Sequence, residues 1–230
     1  MTKSGTRLTT ATFERPADLA DGSDPRVLYA RSYLLTRLVV GAIGICLPFL
    51  LWVVDALVLR GGPTTRDSLS DYYHSGARDL FVGALCVIGC LLLTYLAAQP
   101  RTWDYWLSTV AGVAVLGVAS LPTGDDTVGV VHFVCAGVFI LSLAALCFVF
   151  AARDRRYGGH PRLHRACGIA ILAAVAWVLL GTVVDLSIGW LTSVYLGEVV
   201  SVWAFGLSWL VKGADLLHLT PASARRTPGR

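Results

Sequence analysis

Apolar residues run almost unbroken for about twenty positions at a time along this chain, and polar residues collect in the gaps. A helix needs roughly 20 consecutive apolar residues to cross the hydrocarbon core of a bilayer. Six such runs occur, at about residues 33–59, 78–98, 103–121, 128–152, 165–188 and 193–212. The gaps RGGPTTRD, AQPR, LPTGDD, RDRRYGGHPR and SIGWLT carry the Gly, Pro, Asp and Thr of turns. The pattern predicts an all-α fold, an integral membrane bundle of six transmembrane helices over residues 33–213. A polar, flexible tail is expected at 1–32 and a second tail at 214–230. Pro48 predicts a bend inside the first run. Gly41, Gly44, Gly83, Gly89, Gly112, Gly117 and Gly206 predict close helix approaches.

Composition strengthens the membrane assignment. The chain is 55% hydrophobic and 15% charged, with a mean hydropathy of +0.65, above the usual range for soluble domains. Its net charge of +4 does not point to nucleic acid, because the arginines flank apolar runs. All six cysteines lie in or beside those runs, so no disulfide framework is expected. Cys86 and Cys90, one turn apart, read as small packing residues. The first run is too long for a cleaved signal peptide and is expected to remain as an anchor.

Arginine placement sets the orientation. Arg7, Arg15, Arg26 and Arg31 precede the first run. Arg153, Arg155, Arg156, Arg162 and Arg165 join the fourth to the fifth, and Arg225, Arg226 and Arg230 follow the sixth. The gaps after the third and fifth runs contain no Lys or Arg. Both termini are therefore expected in the cytoplasm, with Arg60, Arg66 and Arg78 the minority against it. Trp103, Tyr105 and Trp106 fall at the inner interface, and Trp190 and Tyr195 at the outer one.

This topology puts SLSDYYHSGARD, residues 68–79, outside. Asp55, Arg78 with Asp79, His132, Asp185 and Glu198 then share the outer leaflet, each on a different run. Charges inside a span are costly, so such a layer is a candidate site. The inner half is expected to hold almost none, apart from end residues such as Lys212 that snorkel to the headgroups. On the sixth run Glu198, Ser201, Phe205, Ser208 and Lys212 share one arc. On the second, Asp79, Gly83, Cys86 and Cys90 share another. Both arcs are expected to face inward. Structural roles are also available: Asp79 at a helix start, Arg78 paired with Asp71 or Asp79, Asp55 and Asp185 solvated, His132 packed. Glu198 lies deepest and is hardest to explain that way.

The candidate ligand-binding set is Ser70, Asp71, Tyr73, His74, Arg78, Asp79, His132, Asp185 and Glu198. A polar, aromatic pocket at headgroup depth suits membrane lipids or another amphiphile, with Arg66 and Arg78 on an acidic group and Tyr72 and Tyr73 on the rest. A second copy or a partner membrane protein is compatible with it, and no catalysis is evident. The alternative is a metal-dependent hydrolase acting on a lipid. In it His74, His132 and one of Glu198, Asp79 or Asp185 would hold zinc, with water in the fourth position. Neither HExxH nor GxSxG is present to support it. A further alternative is an ion or proton pathway through the acids and His132.

The segments SLSDYYHSGARDLFVGALCVIGCLLLTYLA, VVHFVCAGVFILSLAALCFVF and EVVSVWAFGLSWLVKG resemble a group of uncharacterised bacterial six-span membrane proteins. More distantly, the six-span plan and the S-x-S-D motif before the second run are similar to the DUF998 and Frag1/DRAM/Sfk1-type families. The resemblance covers about residues 34–213 and implies a multi-pass protein of a bacterial plasma (inner) membrane concerned with lipids. The chain departs from the ceramidase-like and adiponectin-receptor-like zinc hydrolases, lacking a histidine pair on a span.

Overall fold

Each apolar run contains a helix in the computed structural model, which describes residues 25–60, 65–95, 101–124, 126–184 and 186–219. The helices are α1 (Pro25–Val53), α2 (Arg78–Thr94), α3 (Trp103–Ser120), α4 (Thr127–Tyr157), α5 (Pro161–Gly181) and α6 (Ser193–Leu219). A π-helical segment, Val54–Arg60, extends α1, and a 3-10 helix, Ser70–His74, lies in the first connection. Among the described residues no strand forms beyond a single bridge between Ile188 and Leu191.

Local chemistry sets the boundaries. The Asp126 carboxylate accepts the Gly129 N–H at 2.8 Å and caps α4. Gly158, at φ +88°, ends that helix in a conformation that a side chain would strain. Pro161 sits in the first turn of α5, where its missing N–H costs nothing.

Consecutive helices pack side by side, α6 packs on α1 to close the bundle, and α4 also reaches α6. Two glycine contacts allow the closest approaches. A Cβ on Gly206 would lie 3.0 Å from the Gly41 carbonyl oxygen, and one on Gly112 3.0 Å from that of Gly89. Leu51, Leu92, Val115, Leu146, Phe150 and Trp209 are fully buried between the helices. Aliphatic side chains outside cover the surface, among them Leu57, Val113, Val134 and Leu179, as expected of a bundle solvated by lipid.

Among the described residues four stretches are long and apolar enough to cross a membrane: Leu34–Leu57, Thr127–Tyr157, Pro161–Gly181 and Ser193–Ala214. α2 and α3 have 17 and 18 residues. At 1.5 Å per residue they reach about 26 Å, slightly short of a core about 30 Å thick.

Two sequence expectations are corrected by the packing. On α2 the arc of Asp79, Gly83 and Cys90 is exposed, and Cys86 is half-buried. The inward face is Phe81, Leu85, Ile88 and Leu92 instead, because these larger side chains fill the space that small ones would leave empty. Trp103, Trp106 and Trp190 do stand exposed, but Tyr195 turns inward and is buried beside Tyr72. The α6 arc faces inward as expected, with Ser201, Phe205, Ser208 and Lys212 buried.

Candidate functional site

Because successive helices run in opposite directions, the first connection, the α3–α4 turn and the start of α6 meet at one end of the bundle. The first connection is held there by polar links to four parts of the chain. From α6, the Glu198 carboxylate accepts the Leu69 backbone N–H at 2.6 Å and the Ser70 hydroxyl at 3.3 Å. From the π-helical segment, Asp55 pairs with Arg66 at 3.0 Å. From the α3–α4 turn, the Thr123 hydroxyl donates to Asp71 at 3.1 Å, while His74 Nε2 lies 3.0 Å from both oxygens of Thr123. The Thr192 hydroxyl, just before α6, donates to the Asp67 carbonyl.

Within the connection, Ser68 accepts the Asp71 N–H at 3.0 Å and fixes the first turn of the 3-10 helix. Tyr72 is fully buried with its hydroxyl towards Tyr195. Burial, then the neighbouring Tyr195, pushes the Tyr72 phenol far above its usual range, so it is a neutral group at any physiological pH. His132 is also fully buried, and its Nδ1–H donates to the Leu121 carbonyl at 2.8 Å.

Ser70, Asp71, His74, His132 and Glu198 are thus gathered at one end, and Thr123 is the bridging residue that the sequence did not signal. The other candidates stand differently. Arg78 is exposed, hydrogen-bonds the Tyr73 hydroxyl at 2.9 Å and lies 4.4 Å over its ring. It therefore stacks on an aromatic face, where pairing with Asp71 or Asp79 was expected. Asp79 is exposed in the first turn of α2. Asp185 lies outside the described residues. Asp55, expected to be solvated, is 1% exposed; the fold covers it and supplies Arg66. That pairing occupies Arg66, expected on an acidic group, and burial withdraws Tyr72, expected on the rest of the ligand. Among the described residues no three His, Cys, Asp or Glu side chains gather to hold a metal ion, the trio of His74, His132 and Glu198 included.

Glu198 also faces open space. It lines a groove of about 380 Å³ where α4, α5 and α6 meet, with Phe133, Gly137, Ile140, Val178 and Ser201. It borders a second, interior void with Leu69, Ser70 and Phe139 as well. The groove lies within the 300–1,000 Å³ range usual for small-molecule sites.

The opposite end carries a second polar layer that contradicts the expectation of an apolar inner half. Lys212 pairs with Asp154, and His164 Nε2 lies 3.1 Å from the same carboxylate. His164 Nδ1 lies 2.8 Å from the Ser208 hydroxyl. Arg153 pairs with buried Asp104 at 2.8 Å. Arg37 hydrogen-bonds Tyr95 and sits 5.0–5.5 Å from the rings of Tyr95, Phe150 and Trp209. Lys212 does not snorkel, because a buried carboxylate on α4 offers a better partner than the headgroups. Serine, histidine and aspartate meet here in the order of a nucleophilic triad, but with the ring nitrogens reversed, Nδ1 facing serine and Nε2 facing aspartate. Ser208 has no exposed surface, however, and Lys212 neutralises Asp154. The arrangement therefore fastens α4, α5 and α6 together. Between the two polar layers α6 presents Phe205, and Trp209 packs on Tyr95 and Phe150.

The family model described as "Protein of unknown function (DUF998)" matches residues 42–211. The chain belongs to the DUF998 family. Neither the curated proteins nor the solved structures contain a significant match to it. The match spans Asp55, the first connection, His132, Glu198, Asp154 and His164, so most of both polar layers falls inside the DUF998 region, while Arg37 precedes it. Lys212 follows its last matched residue. The family description assigns no activity, and the arrangement of these side chains is the available guide to function.

Proposed function

We propose that this protein binds a membrane amphiphile at the end of the bundle formed by the first connection, with the headgroup at Glu198 and Ser70 and the chain in the α4–α5–α6 groove. The observation that carries the proposal is the double position of Glu198. Its carboxylate is anchored to the 68–70 segment, and the residue lines a groove whose other walls are apolar apart from Ser201 and Thr182. An acid at the end of a lipid-facing apolar groove is costly unless it meets a polar partner, and an amphiphile supplies both halves of that match.

In this proposal all six helices span, α2 and α3 with slight local thinning of the bilayer. Both termini lie in the cytoplasm, and the first connection faces outward in a bacterial plasma membrane. The arginine distribution supports that orientation, and the exposed tryptophans at both ends support spanning. Lipid analysis of the purified protein tests the binding. Near-stoichiometric lipid is expected with the wild type and its loss with Gly137→Phe, which fills the groove. A lipid-free protein, or equal lipid in both, would remove the proposal.

A further inference from the structure

The hydrogen-bonding character of the groove wall specifies which headgroups it takes, given the pocket proposed above. Among the described residues three side chains with polar atoms line the groove: Glu198, Ser201 and Thr182. Ser201 donates its hydroxyl hydrogen to the Gly197 carbonyl at 2.7 Å, one turn back on its own helix. Thr182 donates to the Leu179 carbonyl at 2.7 Å in the same way. Each hydroxyl has one hydrogen, so both are left with acceptor lone pairs only. A carboxylate has about four acceptor positions; Glu198 uses three, on the Leu69 N–H, the Ser70 Oγ–H and the Ser70 backbone N–H, and keeps one open. Lys, Arg, His, Asn and Gln are not among the lining residues. The polar wall is therefore made of acceptors, one of them a carboxylate.

From this we infer that the ligand is an amphiphile whose headgroup brings hydrogen-bond donors, a hydroxyl or an ammonium, and that phosphate and carboxylate headgroups are rejected. An anionic headgroup would find no donor in the groove and would meet Glu198 as a like charge in a medium of low dielectric. A hydroxyl or ammonium satisfies the open acceptors while its chain lies along Phe133, Gly137, Ile140 and Val178. The cations nearby do not alter this. Arg66 is spent on Asp55, and Arg78 is stacked on Tyr73.

Gly137 provides a clean control. Nothing lies within 4 Å of the position its Cβ would take, so Gly137→Phe or Gly137→Leu starts its side chain in open space on a residue that lines the groove.

The test is native mass spectrometry of the detergent-purified protein with four probes sharing one oleoyl or oleyl chain: monoolein, oleylamine, oleic acid and oleoyl lysophosphatidate. Monoolein or oleylamine should be retained about tenfold or more over the two anions, the factor set by one hydrogen bond to a charged group. Both Gly137 variants should abolish that retention. Glu198→Gln keeps an acceptor but loses the charge. It should cut oleylamine binding by about tenfold and leave monoolein nearly unchanged, which separates the ammonium from the hydroxyl source. Retention of an anion equal to that of the donors, still abolished by Gly137→Phe, would overturn the headgroup assignment and leave the pocket standing. Oleylamine binding unchanged in Glu198→Gln would overturn it as well. Retention of no probe, or retention indifferent to both Gly137 variants, would remove the pocket and the headgroup assignment together.

Discussion

Asp154 on α4 and Lys212 on α6 form a buried ion pair, 58 residues apart in sequence, at the end of the bundle remote from Glu198. His164 completes the set from α5. Removing one member leaves an uncompensated charge, which typically costs about 3–5 kcal/mol. Lys212→Met should therefore lower the melting temperature in detergent sharply. Asp154→Leu combined with Lys212→Met should recover part of the loss, because the two removals share one cause. Additive single effects would mean that the two side chains do not depend on each other.

Glu198 holds the first connection as well as lining the groove. Hydrogen bonds to a charged acceptor contribute about 1.5–3 kcal/mol. Glu198→Ala should thus speed amide hydrogen exchange in the 68–74 segment far more than in α2 or α3. Exchange that rises evenly throughout the bundle would show that Glu198 supports the whole fold rather than this segment.

The Asp55–Arg66 pair is asymmetric, with side-chain exposures of 1% for Asp55 and 17% for Arg66. Arg66, freed of its partner, can turn towards water, whereas Asp55 cannot. Arg66→Ala is expected to destabilise by roughly 3 kcal/mol and Asp55→Ala by clearly less. Denaturation of the two variants in parallel would read the order, and the reverse order would contradict the burial argument.

Glycines on two faces should respond oppositely. A Cβ at Gly206 meets the Gly41 carbonyl at 3.0 Å and Ile45 at 3.1 Å, whereas one at Gly83 meets nothing within 4 Å. Gly206→Leu should separate α1 from α6 at a cost of about 1–3 kcal/mol or more. Gly83→Leu should change the melting temperature little. Equal losses would mean that helix propensity rather than packing governs both sites.

Sidedness is open to direct measurement. A cysteine at exposed His74 and one at exposed Tyr157 lie at opposite ends of the bundle. With the native cysteines replaced, a membrane-impermeant maleimide applied to intact cells should label the first and spare the second. Labelling of both or of neither, or the reverse pattern, would contradict the proposed orientation.

Much of this molecule could be read from residue order alone. The apolar run lengths gave the helices, the turn residues their limits, and the spacing of Glu198, Ser201, Phe205, Ser208 and Lys212 the inward face of α6. The same reasoning failed on α2, where polar and small residues marked the outward face. It failed because arc arguments assume that polarity points inward in a membrane bundle, and Phe81, Leu85 and Ile88 packed there instead. It also treated Lys212 as an end residue reaching for the headgroups, and it did not single out Asp154 or Asp104.

By itself the sequence determined what each helix must do, because crossing a hydrocarbon layer is a constraint on every residue of a segment and needs no neighbour. Only the tertiary structure decided which charges meet: Glu198 with the 68–70 segment, Asp55 with Arg66, Asp154 with His164 and Lys212. Ion pairing and acceptor inventories depend on separations of about 3 Å between atoms of different helices. Those distances are set by how the helices rotate and approach, which no run of apolar residues encodes.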